Sequence, residues 1–213
     1  MGRVGTQAEP LRRDARRNRE LVLAAARRLM AERGLDVGYE EIARAAGVGM
    51  GTVYRRFPER TALIDALFND HIDTLVGLAE QAGGCADPWH GLVGFMEQSL
   101  QLQEGDRGLS EVLRGHLHAA RLSSSATERV APVVQDLVDR ARAAGALPDD
   151  VTPGDFALVH RMVSGVMDSA PGSPLWRRAL HVALAGLRSG SPLPGPAPDH
   201  AAIDALQGGR SGE

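Results

Sequence analysis

The chain has 213 residues, 43% of them hydrophobic, enough for a genuine core that four Phe, two Tyr and two Trp leave mostly aliphatic. No apolar run reaches membrane-spanning length and none follows the N-terminal arginines as a secretory signal; the single cysteine, Cys85, excludes an internal disulfide and fits a reducing cytoplasm. A net charge of −3 argues weakly against a nucleic-acid partner until it is divided. Residues 1–60 hold thirteen arginines against eight carboxylates, a net of +5, and residues 61–213 hold eleven against nineteen, a net of −8.

Sustained alternation of β-branched residues is missing, and helical spacing dominates, so the chain reads as all-α. A basic leader, residues 1–15, is expected to be disordered. The first helix is predicted over Arg13 to Arg33, with Val22, Ala26, Leu29 and Met30 on one side and Gly34 as a left-handed stop. "YEEIARAA" gives a short second helix ended by Gly47, and Met50 to Phe57 a third. Pro58 is predicted to open the fourth, in a first turn that tolerates proline. That helix carries Leu63, Leu67, Ile72, Leu75 and Leu78 before "QAGGCADP" breaks it.

Asp87 and Pro88 then start a fifth helix in "DPWHGLVGFMEQSLQLQ". Others follow in "GLSEVLRGHLHAAR" and "SATERVAPVVQDLVDRARAAG", where Pro132 predicts a kink or a later start. The last two fall at about 154–170 and 174–189, making about nine helices in all. Residues 191–213, rich in Pro, Gly and Ser, are expected to form a disordered tail.

A short helix, a tight turn at "AGVG" and a second short helix outline a helix-turn-helix. Ile42 and Val48 are placed to fill the angle between the helices, and Ala43 is small enough for close approach. At about 100° per residue, Val53 and Phe57 point into the core and Arg55 points away, beside Gly51 and Thr52. A guanidinium there can donate two hydrogen bonds to O6 and N7 of guanine in the major groove. Thr52, Tyr54 and Arg56 on the shoulders, with Arg60 in the next helix, are placed to meet phosphates. Gly51 leaves room for the helix axis to approach the bases, and Gly49 gives the turn conformational freedom. The glycines also predict a recognition helix only marginally ordered without DNA. Leader arginines such as Arg12, Arg13, Arg16 and Arg17 either touch backbone or minor groove, or serve solubility; the residues leave both open.

The stretch "AARRLMAERGLDVGYEEIARAAGVGMGTVYRRFPERTALIDALF" resembles the N-terminal domain of the TetR family of transcriptional regulators. The likeness rests on "AERG", "IARAAGV", "GTVYRRFP" and "ERTAL" at fixed spacing over about residues 16–75. It implies a three-helix DNA-binding head with a larger helical ligand-binding and dimerisation domain over 76–190. It also implies a homodimeric repressor of a palindromic double-stranded operator, released by an unidentified small-molecule effector; an effector-independent regulator or activator is the alternative. Residue by residue, Thr52, Tyr54 and Arg60 match phosphate-contacting positions, and Met50, Gly51 and Arg55 match positions that face bases. The chain departs from the family at Gly38 and Gly49, where Ser or Thr often caps a helix, and at Met50, where Lys is frequent.

The "DPW…FMEQSLQLQEGDRGLSEVL" stretch resembles the C-terminal domain of one subset of that family. The implied layout puts a cavity among the fifth to eighth helices, with Phe95, Met96, Ser99, Gln103, Leu113, His116, Leu117 and Val134 as candidate liners. In the family the last two helices form the dimer bundle, here through Phe156, Val159, Val163, Val166, Leu180, Leu184 and Leu187. Gly165 and Gly186 permit close helix approach. His116 and His118 face different ways on a helix, and His160, Asp155 and Asp168 add no ligand set, so no metal is expected. No Ser/His/Asp arrangement or phosphate loop is present, and neither enzymatic activity nor a cofactor is expected.

Overall fold

The computed structural model describes residues 8–113, 119–188, 190, 192–199 and 202–203, with side chains over 13–111 and from 128 onward. Among the described residues there are nine helices and no strand. They are α1 (Ala8–Arg33), α2 (Tyr39–Ala46), α3 (Met50–Arg56), α4 (Arg60–Gly83), α5 (Pro88–Gln103), α6 (Arg107–Leu113), α7 (Ala119–Ala143), α8 (Pro153–Ser169) and α9 (Leu175–Leu187). The chain divides into two units. One takes Met1–Phe68 together with Asp106–Glu111, the other Asn69–Gly105 and Val112–Glu213. Both α4 and α6 therefore run from one unit into the other along the chain.

In the first unit α1, α2 and α3 pack on one another around Val22, Ala26, Met30, Ile42, Val53, Phe57 and Leu63, all buried. Gly34 has φ +84°, and its amide closes α1 on the Met30 carbonyl at 2.8 Å. A side chain is disfavoured there by conformation, and a Cβ would also displace the Glu111 carboxylate. The Glu111 carboxylate accepts the Leu35 amide at 2.7 Å, so a residue of α6 completes the end of α1. Gly108 of α6 lies close to Met30, where a Cβ would meet backbone at 3.1 Å. Asp106 begins α6 by accepting the Leu109 amide at 2.8 Å.

The second unit is built on Leu92, Phe95, Met96, Leu100, Leu137, Val138, Phe156, Val159, Val163, Trp176, Leu180 and Leu184, which form one buried cluster from α5, α7, α8 and α9. Polar groups entering it are satisfied: Trp176 Nε1 donates to Glu104 at 2.9 Å, and Ser164 donates to Gln103 at 3.0 Å. Asp87 caps α5 by accepting the Trp89 and His90 amides. Asp155 accepts the amide and hydroxyl of Thr152 at 2.7 and 2.9 Å and so fixes the start of α8.

Four boundaries differ from expectation. α1 begins at Ala8, within the segment expected to be a disordered leader, with Pro10 in a first turn where a missing amide costs little. α4 begins at Arg60, not Pro58, and α3 stops at Arg56 because proline holds the residue before it out of the helical region, Phe57 sitting at φ −132°, ψ 79°. Pro132 lies inside a continuous α7, which starts at Ala119. The tail is partly docked: the Leu193 amide donates to Asp150 at 3.2 Å, the Pro198 carbonyl fills the space beside Gly154, and Ile203 is buried.

Candidate nucleic-acid interface

The turn between α2 and α3 is set by Gly47, which has φ +66°. Its amide donates to Arg44 and that of Val48 to Ala43, at 3.3 and 3.1 Å, the paired bonds of a Schellman stop. Ile42 is fully buried and Ala43 nearly so where α2 packs on α3. Gly38 and Gly49 occupy both N-cap positions in extended conformation, and neither offers a side-chain acceptor. The first amides of α3 are thus left without a side-chain cap.

α3 is seven residues long and sorts its side chains cleanly. Val53 is fully buried, and Phe57 beyond the helix end is nearly so. Met50 and Tyr54 are 49% and 52% exposed, and Gly51, Arg55 and Arg56 are exposed as well. Thr52 is half-buried. A Cβ at Gly51 would meet nothing within 4 Å, so the glycine leaves an open face and is not demanded by packing in the free protein. This surface carries two cations, a phenol and a thioether with no carboxylate among them, a set suited to phosphates and base edges.

Two arginines differ from each other in placement. Arg16 is exposed and spans to Glu20 at 3.0 Å. Arg60, expected at the DNA backbone, is turned inward: Nη1 donates to the Val37 carbonyl at 2.7 Å, and Nη2 is buried without a partner. Arg60 thus braces the loop before α2 through the Val37 carbonyl. Arg12 carries no described side chain.

Four contacts at the site were invisible in the sequence. Tyr39, the first residue of α2, donates its hydroxyl to the Phe57 carbonyl at 2.9 Å, and its ring meets Tyr54 edge-on at 5.0 Å. Burial raises the Tyr39 pKa, opposed by the nearby Arg60 guanidinium and aided by Tyr54. Arg19 lies over the Phe57 ring, 5.6 Å from its centroid. Arg33 pairs with Glu41 at 2.7 Å and ties α1 to α2. Each is a through-space pairing between segments, and no local periodicity marks it.

In the second unit Phe95, Met96, Ser99 and Gln103 are buried on α5, and Val134 is half-buried beside the core. His116 and Leu117 lie outside the described residues, and the Leu113 side chain is not described. The dimer-face expectation needs correction. Phe156, Val159, Val163, Leu180, Leu184 and Leu187 are each at most 8% exposed within a single chain, and Val166 packs partly buried against them. They form the core of their own protomer. The exposed apolar residues of α8 and α9 are Met162 (56%), Leu175 (57%) and Val182 (64%), with Gly165 and Gly186 exposed nearby in sequence. Their signal was present as a second apolar face on each helix. Among the described residues no three His, Cys, Asp or Glu side chains converge to hold a metal ion, and no helix is long and apolar enough to cross a membrane.

Residues 22–67 match the family of bacterial regulatory proteins, tetR family, and residues 87–189 match the SbtR-like transcriptional regulator C-terminal domain. A TetR transcription regulatory protein from Mycobacterium vanbaalenii is 33% identical, covers 84% of this chain and 99% of its own, and superposes with a TM-score of 0.60. A TetR regulator from Streptomyces coelicolor is 29% identical over 80% of this chain and 98% of its own, with a TM-score of 0.61. HTH-type transcriptional regulators of Staphylococcus aureus are 30% identical over 91 residues, and this chain spans about half, 48%, of their length. At lower identity the fold is shared with FadR from Bacillus subtilis, crystallised with stearoyl-CoA (16%, 82% of this chain and 100% of its own, TM-score 0.67).

Proposed function

Because the chain belongs to the TetR family of bacterial regulatory proteins, and so is a DNA-binding transcriptional regulator and not an enzyme, we propose that it works as a homodimeric repressor of a palindromic operator. On this reading each α3 enters a major groove, with Arg55 reading a base edge, Met50 and Gly51 close to the bases, and Thr52, Tyr54 and Arg56 on phosphates. The observation that carries it is the division of α3 between a fully buried Val53 and an exposed Met50, Gly51, Tyr54, Arg55 and Arg56. Two such helices must stand about 34–36 Å apart, or a multiple of it, to read successive half-sites.

Dimerisation is assigned to the outer face of α8 and α9, centred on Met162 and Val182. Exposed apolar groups of this size on adjacent helices, with open glycines beside them, suit a mate that approaches closely. A small-molecule effector held among α5, α7 and α8 is proposed to release the DNA. Support comes from the buried Ser99, Gln103 and Ser164 within an otherwise apolar cluster, and from neighbours of the same fold solved with resorcinol or stearoyl-CoA. Such an effector shifts the population only by its difference in affinity between the two states. α4 is the proposed lever, since its chain continues from one unit into the other. The site of action is taken to be the cytoplasm.

Selection of bound duplexes from random DNA, followed by mobility shift, tests the reading. A palindrome should emerge, and Arg55→Ala combined with Tyr54→Ala should abolish the shift. A protein that selects nothing, or a double variant that binds like the parent, refutes it.

A further inference from the structure

α3 is too short to hold itself. Seven residues close only a few helical hydrogen bonds, the N-cap is a glycine without an acceptor, and nothing in the helix specifies which way Tyr54 points. Yet one side chain from the preceding helix touches both the exit of α3 and Tyr54. The Tyr39 hydroxyl donates to the Phe57 carbonyl at 2.9 Å, immediately after the Phe57 amide has closed on Val53 at 2.8 Å. The Tyr39 ring meets the Tyr54 ring at 5.0 Å and 68°, an edge-to-face geometry. Tyr54 is otherwise half out of the protein, with no hydrogen bond of its own among those described.

We infer that Tyr39 is a positioning residue for DNA recognition: it pins the C-terminal end of α3 through Phe57 and holds the Tyr54 phenol in the orientation in which it meets a phosphate. The inference deepens the DNA-binding reading and rests on it. The Tyr39 phenol is protonated at physiological pH and burial raises its pKa further, so it remains a donor to the carbonyl. Tyr39 need touch no nucleotide. It substitutes for the absent N-terminal cap by fixing the other end of the helix, and it removes rotamer freedom from Tyr54 before binding.

The test is a double-mutant cycle on operator affinity in the full-length protein, using the duplex selected with the wild type. Tyr39→Ala is expected to weaken binding roughly tenfold, and Tyr39→Phe, which keeps the ring and loses the bond to Phe57, roughly threefold. In a Tyr54→Phe background, where there is no phenol left to orient, the Tyr39→Ala effect should shrink by at least half. A purely space-filling Tyr39 would lower the melting temperature but cost the same affinity in both backgrounds, and that additivity overturns the inference. So does unchanged affinity in Tyr39→Ala. If Tyr39→Ala does not fold, Tyr39→Leu supplies the same comparison. A wild-type protein that shifts no duplex refutes the DNA-binding reading, which is a distinct failure.

Discussion

Three arginines show how far position outweighs residue type. Arg55 faces outward from a helix anchored by a fully buried Val53, and Arg55→Ala is expected to cost about 1–3 kcal/mol of operator binding and relax preference at one base pair per half-site. Selection experiments on the variant read both effects. Arg16 is exposed and only loosely paired with Glu20. Its removal should lower the slope of log affinity against log salt by about 1 without moving the melting temperature, if it contacts phosphate. Arg60 is the contrasting case. It donates inward to Val37, so Arg60→Met should leave the salt slope unchanged and lower stability by about 1 kcal/mol, seen in thermal melts. Periodicity sets Arg55 opposite the buried Val53 and Phe57, and Arg55 is exposed. The Arg60 expectation rests on its place after Pro58 and on the family resemblance, and neither carries the direction of a long side chain near a helix start, which depends on which carbonyl lies within reach, here one 23 residues away.

Among the elements, the helix-turn-helix was the most legible, since "IARAAGV" encodes a buried Ile42, a small Ala43 and a left-handed Gly47 in the order that the turn requires. The final two helices were legible as helices but not in their orientation. Both carry apolar residues on more than one side, and burial alone distinguishes Leu184, 2% exposed, from Val182, 64% exposed two residues earlier. One chain's pattern gives the number of apolar faces, and packing decides which of them its own core absorbs. The distinction has opposite experimental signatures. Val182→Glu is expected to yield folded monomers with weakened operator binding, as followed by sedimentation, because the change falls on the proposed face between mates. Leu184→Ala is expected to cost about 2–5 kcal/mol of stability through a cavity in the cluster, as followed by denaturant unfolding.

At the scale of the whole molecule, the charge division and the all-helical class followed directly from composition and spacing, whereas the tail did not. Pro198 fits closely against Gly154 and Ile203 is buried, neither of which a Pro- and Gly-rich segment advertises. Acid stability is another global property absent from the sequence. His160 is lowered from 6.5 to about 4, first by burial and then by His71 and Arg161 nearby. Its folded pKa lies below the unfolded value, so the unfolded chain binds the extra proton between those limits. Stability is then full above about pH 6.5 and falls as the pH drops toward 4, by roughly 1–3 kcal/mol for this group. Melting curves across that range should show a shallower acid decline in His160→Asn.

The cap that Glu111 places on Leu35 has a practical corollary. The reading head is stitched from two stretches of chain separated by residues 69–105, and its sequence signature, residues 22–67, takes in only one of them. A fragment cut after residue 75 would keep every groove-facing group yet lose the carboxylate that closes the end of its longest rod. It would also bare the flank of Met30 that Gly108 normally shields. Excision should therefore yield a weaker fold than the intact protein's, and supplying residues 106–111 as a grafted segment should restore it.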